Sequence, residues 1–289
     1  MTRQEFAGLA ARGPVILDGA TGTSLRAAGM PVGIPPELWI LERPEVLLEL
    51  QRAYVDAGSV ILCAPTFSAN RLSLKNFGLE ERLAELNARL VALTREAAGG
   101  RALTAGDLST LGRPLEPVGD LSYSAAYAVY REQMEALAEA GADLLAVETL
   151  MGADEAVAAL DAAAAVGLPV WCSFSAEADG SLPFGGNVWE TAAMLRELGA
   201  AAVGVNCSVG PDQLESVVRS VRAAVDIPVV AKPNAGLPVM DEQGRAHYGM
   251  GPADFARHMR VLAEAGAGVL GGCCGTTPDY IRQLAAVLA

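Results

Sequence analysis

Cys273 and Cys274 stand side by side in the segment Gly271-Gly272-Cys273-Cys274-Gly275-Thr276-Thr277-Pro278. Adjacent cysteines make a poor disulfide with each other, because one peptide link seldom permits relaxed S–S geometry. On a glycine-flanked bend the two thiols can instead converge on a soft metal ion, and a third thiolate from elsewhere would complete a Cys₃ site. Zinc held by three thiolates keeps its fourth tetrahedral position open for a substrate, an arrangement suited to chemistry on a thiol.

The chain alternates short apolar runs with amphipathic stretches from one end to the other. Strands are expected at 15–18, 59–63, 102–106, 144–148, 170–174, 202–206, 229–232 and 268–271. Their continuous apolar character suits buried parallel strands. Helices are expected at 45–57, 79–98, 124–140, 154–166, 188–198, 211–225, 252–265 and 278–288. Proline marks the first turn in Gly210-Pro211 and Thr277-Pro278, and glycine follows several helices, as at Gly58, Gly141 and Gly167. Eight strand–helix units in 289 residues predict a single (β/α)₈ TIM barrel occupying 1–289. The competing fold is a doubly wound open sheet, but Asp18-Gly19-Ala20-Thr21-Gly22-Thr23 only superficially resembles its phosphate turn. The irregular intervals 20–44 and 107–123 are expected to cover the active face.

In such a barrel the working residues sit where strands end. Those positions hold Asp18, Cys63 to Thr66, Asp107, Glu148, Ser173 to Ser175, Asn206-Cys207, Lys232 to Asn234, and Cys273-Cys274. Cys207 ends the sixth strand and the cysteine pair ends the eighth. Strands two apart lie roughly 10 Å from each other, given a spacing of about 4.8 Å between neighbours, and inward-leaning side chains can close that gap. Cys207, Cys273 and Cys274 are therefore the candidate zinc ligands. Cys63 and Cys172 lie in apolar runs and read as core. His247, in the polar stretch Gln243-Gly244-Arg245-Ala246-His247, and His258, inside a helix, occupy no strand end. Lys232 admits a rival chemistry, Schiff-base formation, which needs no thiol cluster.

Composition narrows the field. A net charge of −13 opposes binding to nucleic acid or to anionic membranes, and no interval is long and apolar enough to span a bilayer. The start, Met1-Thr2-Arg3-Gln4-Glu5, lacks a secretory pattern. Five cysteines in that context are expected to be reduced thiols in the cytoplasm.

The chain resembles the zinc-dependent homocysteine S-methyltransferases, and in particular the N-terminal homocysteine-binding barrel of cobalamin-dependent methionine synthase. The resemblance lies in Leu17 to Thr23, Val147-Glu148-Thr149, Gly204-Val205-Asn206-Cys207-Ser208-Val209-Gly210-Pro211, Pro233-Asn234-Ala235-Gly236-Leu237-Pro238, and Gly271 to Pro278. It implies that Cys207, Cys273 and Cys274 bind Zn²⁺. It implies further that Asp18, the Gly19-Ala20 backbone and Glu148 hold the amino-acid end of homocysteine, with Thr66 and Asn206 lining the pocket and Asn234 at the fourth zinc position when substrate is absent. A carboxylate suits an ammonium, and a glycine-rich bend suits a carboxylate. One departure is Cys63-Ala64-Pro65-Thr66, where the family usually has asparagine before Thr-Phe.

The implied reaction is attack of a homocysteine thiolate on a methyl group, yielding methionine, with Glu148 and the three cysteines as its catalytic groups. The implied donor is methylcobalamin or a methylated corrinoid. Because the sequence ends about ten residues after its last motif, a corrinoid is expected on a separate protein. S-methylmethionine, S-adenosylmethionine and betaine are the alternative donors. A contrasting reading is a non-catalytic zinc- and thiol-binding subunit.

Overall fold

Apolar strands followed by amphipathic helices can bury both sheet faces if the sheet closes on itself, and a computed structural model of the chain has this form. It describes residues 1–241 and 246–289. The strands are β1 (Val15–Ile16), β2 (Ile61–Cys63), β3 (Leu103–Ser109), β4 (Leu144–Leu150), β5 (Val170–Phe174), β6 (Ala202–Cys207), β7 (Val229–Pro233), β8 (Pro238–Met240), β9 (Ala246–Tyr248) and β10 (Ala267–Leu270). Eight of them pair in the order β1-β10-β7-β6-β5-β4-β3-β2, all parallel. A bridge between Leu17 and Ile61, with Val60 N–H donating to the Ile16 carbonyl at 2.8 Å, joins the two ends of that order. The result is a (β/α)₈ TIM barrel.

The expected strands and helices are all present, displaced by at most a few residues. The stretches 79–98 and 211–225 each open with a 3₁₀ turn, at Glu80–Arg82 and Pro211–Gln213, before the helix proper. Four helices were not expected: α1 (Arg3–Ala10), α2 (Gly22–Ala27), α3 (Pro36–Glu42) and α5 (Arg71–Lys75), with α4 (Pro44–Ala57) preceding the last. The interval 20–44 is thus largely helical rather than irregular. The β8–β9 hairpin was also unexpected, and it places His247 in a strand, with Nε2 2.8 Å from Asp241. The rest of that polar stretch, 243–245, lies outside the described residues. Among the described residues no helix is long and apolar enough to cross a membrane.

Two-residue periodicity sorts the strand side chains into two layers. Leu145, Val147, Cys172, Val203, Val205, Val229 and Ala231 pack outward beneath the helices. Val15, Leu17, Ile61, Ala105, Leu144, Ala146, Trp171, Val230 and Val269 fill the barrel, and Phe6 of α1 packs into the same cluster. Advancing two residues along each strand from this apolar filling reaches Cys63 after Ile61, Asp107 after Ala105, Glu148 after Ala146 and Lys232 after Val230. The inner layer therefore becomes polar toward the C-terminal ends.

Gly204 keeps β6 close to β7, since a Cβ there would collide with the Val230 backbone across the ladder. We predict that Gly204→Ala destabilises the fold by about 3 kcal/mol, at the upper end of overpacking penalties, and lowers the thermal midpoint by roughly 5–10 °C. A midpoint within a degree of the parent would contradict the close packing.

Candidate active site

A cavity of about 400 Å³ opens at the C-terminal end of the barrel. One wall carries Cys207, Cys273 and Cys274, and its interior is bordered by Cys63, Asp107, Glu148 and Lys232. Leu25 of α2 and Ile40 of α3 give it an apolar side.

The three sulfurs lie within 4.8 Å of one another, an arrangement that could hold a metal ion. Each thiol is aimed by backbone. Cys207 ends β6 with φ 59°, followed by Ser208 at 49°, a left-handed turn that costs energy in residues with a Cβ and is common at functional sites. Cys273 N–H donates to the Pro233 carbonyl at 2.8 Å, and Ala235 N–H donates to the Cys274 carbonyl at 2.9 Å. The cysteine turn therefore lies alongside β7. Thr276 ties it to the other chain end: its hydroxyl donates to the Cys273 carbonyl (2.7 Å) and accepts the Ala20 N–H (3.1 Å). Tyr54 of α4 supports the junction, its hydroxyl reaching the carbonyls of Ala20 (3.0 Å) and Thr276 (3.3 Å).

The thiols titrate as one group. Hydrogen bonds from Cys207 and Cys273, with a further one from Tyr248, hold Cys274 down at about 3. Cys273 is pushed well up by the hydrogen bonds it gives to Cys207 and Cys274 and by burial. For Cys207 the bond received from Cys273 lowers the pKa, but the bond given to Cys274 and burial leave it raised to about 11.

On the far side of the cavity Lys232 Nζ lies 2.9 and 3.0 Å from the two oxygens of Glu148, 3.5 Å from Cys63 Sγ and 3.9 Å from Asp18 Oδ1. All four residues are buried. Burial opposes the lysine charge, but Cys63, Glu148, Asp18 and Asp107 together hold its pKa well above the ordinary value. Lys232 is thus a paired ammonium, and Schiff-base chemistry, which needs the free amine, does not fit it. Burial pushes Asp18 up to about 6 against the pull of Lys232 and the Cys63 N–H. Asp107 is also held well above the ordinary carboxylate range, by burial and by Glu148 against the pull of Lys232.

The expected site residues divide into those that border the cavity and those behind it. Cys207, Cys273, Cys274, Glu148, Gly19 and Ala20 border it. Ala20 N–H, however, already serves Thr276. Asp18 lies beneath, with Oδ2 accepting the Cys63 N–H at 2.8 Å. Thr66, expected to line the pocket, is fully buried behind the wall and clasps Asp107: its hydroxyl donates to the Asp107 carbonyl (2.8 Å) and accepts its N–H (3.1 Å). Asn206 is likewise buried, its Oδ1 accepting from Thr149 N–H and Ser173 Oγ at 2.8 Å and its Nδ2 donating to Thr149 Oγ1 at 2.9 Å. It holds Thr149 in its left-handed conformation, φ 62°, and does not border the cavity. Asn234 donates to the Ser208 carbonyl at 3.1 Å, while its Oδ1 is buried without a partner beside the cysteine turn. Cys63 is buried as expected, packed with the apolar filling of the barrel, and it also borders the cavity. Tyr248 was not anticipated; it belongs to the β8–β9 hairpin, and its ring packs against Gly275.

Fold and site together define a TIM barrel with a three-thiol cluster facing a buried cluster of acids and a lysine. Residues 15–288 match the family described as homocysteine S-methyltransferase, and the chain belongs to that family. It is 31% identical to methionine synthase of Mycobacterium leprae over 292 aligned positions and 30% identical to that of Mycobacterium tuberculosis, in each case over 94% of this chain. It spans about a quarter of the length of those relatives. Among solved structures, the homocysteine methyltransferase MmuM from Escherichia coli superposes with TM-score 0.83 in its oxidised form and 0.82 in its metallated form. Those matches cover 99% and 97% of this chain, and 100% and 98% of MmuM, at 26% and 27% identity.

We predict that Lys232→Met, which strands the buried acids without their cation, lowers stability by about 3–5 kcal/mol at pH 8. Asp18 has a raised folded pKa, so its proton is retained more tightly in the fold than in the unfolded chain. Lys232 lowers this pKa, which is about 6 in its presence, so in the variant Asp18 takes up its proton at higher pH and the penalty should shrink as pH falls toward 6. Denaturant midpoints measured at pH 8 and pH 5 check both the size and the sign.

Proposed function

We propose that the whole chain, 1–289, acts as one homocysteine-binding barrel that transfers a methyl group to homocysteine and releases methionine, with a methylated corrinoid as donor and zinc as resident metal. The observation that carries the reading is the convergence of Cys207, Cys273 and Cys274 on a cavity whose other side is acidic. Family membership and the likeness to MmuM support it.

The donor set fits zinc: three thiol sulfurs close enough to share an ion, one already disposed to lose its proton, and a partnerless Asn234 oxygen beside them. When bound, zinc keeps a substrate thiol deprotonated at neutral pH and nucleophilic. The protein's own groups do the rest. Cys207, Cys273 and Cys274 would hold the metal at the mouth, and Asn234 would complete its set before substrate enters. The Gly19-Ala20 turn, with Asp18 beneath it, and the Lys232–Glu148 pair would form the end that receives the amino-acid moiety. Leu25 and Ile40 exclude water from one side, which strengthens the polar contacts within. The homocysteine sulfur forms the bond to the methyl carbon, and the donor keeps the electrons of the bond that breaks.

The resemblance to the homocysteine-binding barrel of cobalamin-dependent methionine synthase favours a methylated corrinoid carried by a separate protein over S-methylmethionine, S-adenosylmethionine or betaine. Five free cysteines suit the reducing cytoplasm as the place of action.

Zinc-loaded protein incubated with homocysteine and each donor in turn should make methionine fastest from methylcobalamin. Methionine from no donor would overturn the reading, leaving a thiol-binding subunit in its place. Cys273→Ser should cut bound zinc from about one per chain to a small fraction and abolish turnover, as expected when one of three protein ligands is lost. Full zinc retention on metal analysis would rule out this ligand set.

A further inference from the structure

The β8–β9 hairpin buries almost nothing of its own. Pro238, Val239, Met240, Ala246 and His247 are all exposed, and Tyr248 alone among its strand residues is half-buried. Apolar burial, the usual reason for a segment to fold back on a protein, is therefore not what holds this one. Its one inward contact is the Tyr248 ring on the cysteine turn, where a Cβ at Gly275 would collide with the ring. Gly275 also has φ 83°, so glycine serves there twice, for the left-handed bend and for the close approach of the ring.

Both roots of the hairpin are fixed to that turn. Ala235, ahead of β8, donates its N–H to the Cys274 carbonyl at 2.9 Å and accepts the N–H of Met250, just beyond β9, at 3.1 Å. Tyr280, in the helix Pro278–Leu288, holds Met250 from behind, its hydroxyl donating to the Met250 carbonyl at 2.6 Å. Tyr248 pairs with Pro238 in the ladder and so stands at the anchored end. Its hydroxyl donates to the Cys274 sulfur. All three cysteines border the cavity and Tyr248 does not, so the hydroxyl reaches Cys274 from outside.

Sulfurs that share an ion with a substrate thiol are themselves thiolates, and a thiolate is a nucleophile. In a cavity that also admits a methyl donor, each of the three can compete with the substrate for the methyl group. A methylated cysteine is lost as a ligand, because the thiolate is the form that binds metal. An O–H donated to a thiolate stabilises its lone pair and slows its attack, and hydrogen bonds to charged groups are the strong ones.

We propose that Tyr248 is a positioning residue that acts through Cys274: its hydroxyl ties down the Cys274 sulfur from outside the cavity, so that the methyl group goes to the substrate thiol and not to this ligand. The β8–β9 hairpin is the arm that delivers the hydroxyl. The inference rests on the zinc-thiolate reading and adds to it a means of telling ligand sulfur from substrate sulfur.

The test treats zinc-loaded parent and Tyr248→Phe with methyl iodide in the absence of homocysteine and follows each cysteine by peptide mass spectrometry. The sulfur forms the bond to carbon, and iodide leaves with the electrons of the C–I bond. Tyr248→Phe should be methylated at Cys274 about 10-fold faster than the parent, the order expected for one charge-assisted hydrogen bond. Its rate at Cys207 and its zinc content should match the parent's. In the cobalt-loaded proteins the sulfur-to-metal charge-transfer band should move to lower energy in the variant, a shift that a merely structural tyrosine does not produce. Tyr248→Leu gives the same readouts should the phenylalanine variant fail to fold. Equal rates at Cys274, or an unmoved band, overturn the inference alone. Loss of zinc from Tyr248→Phe does so as well, since the tyrosine is then a support of the metal site. A parent that binds no zinc overturns the zinc reading and this inference with it.

Discussion

Ionisable groups buried in one layer of a barrel must pair, and the Lys232–Glu148 contact is the pairing on which this site depends. Three carboxylates and a thiol surround the one ammonium. Remove the cation and the acids must either take up protons or repel one another in a low dielectric. The pair joins β4 to β7 across the barrel, so the electrostatic and mechanical frames of the cavity coincide. Its position follows from alternation: residues that fill the barrel give way, two positions further along, to residues that line the cavity.

Around this frame the two halves of the site answer to different physics. The thiol wall is built by backbone geometry, through left-handed residues, a glycine-flanked turn and hydrogen bonds to β7. The acidic side is built by burial, which raises Asp18 and Asp107 while Lys232 opposes the rise. Geometry sets where a soft ion could sit; burial sets how strongly the opposite end calls for a cation.

Much of the architecture was legible in the amino-acid order, because eight apolar runs with helices between them have few closed arrangements. The cysteine pair and Cys207 were legible too, since barrel register brings strands six and eight within side-chain reach. Asn206 and Thr66 were misplaced for a common reason. Being at a strand end does not say whether a polar side chain points into the cavity or is consumed in holding its neighbours. Asn206 spends its amide on Thr149 and Ser173, and Thr66 spends its hydroxyl on Asp107. Asp107 stood at a strand end without an assigned role, although its spacing from Ala105 already marked an inward residue. Nothing local announced the β8–β9 hairpin, whose strands are three residues long and mostly exposed.

The seam of the ring has its own consequence. β1 contributes only two residues to the ladder, and the gap between it and β2 is bridged by the Leu17–Ile61 contact, by Val60 N–H on the Ile16 carbonyl, by the Ser59 hydroxyl on the Leu17 carbonyl and by Cys63 N–H on Asp18. On the other side of β1, where it pairs with β10, Thr276 fastens the turn after β1 to the turn after β10, one from each extremity of the chain. Occupancy of the cavity and integrity of that β1–β10 junction are linked equilibria: whatever binds against the two turns favours the joined form by mass action, and whatever loosens the junction weakens binding equally. The barrel and its ligand thus share one free-energy balance, with the joint between the chain's two ends as the point of exchange.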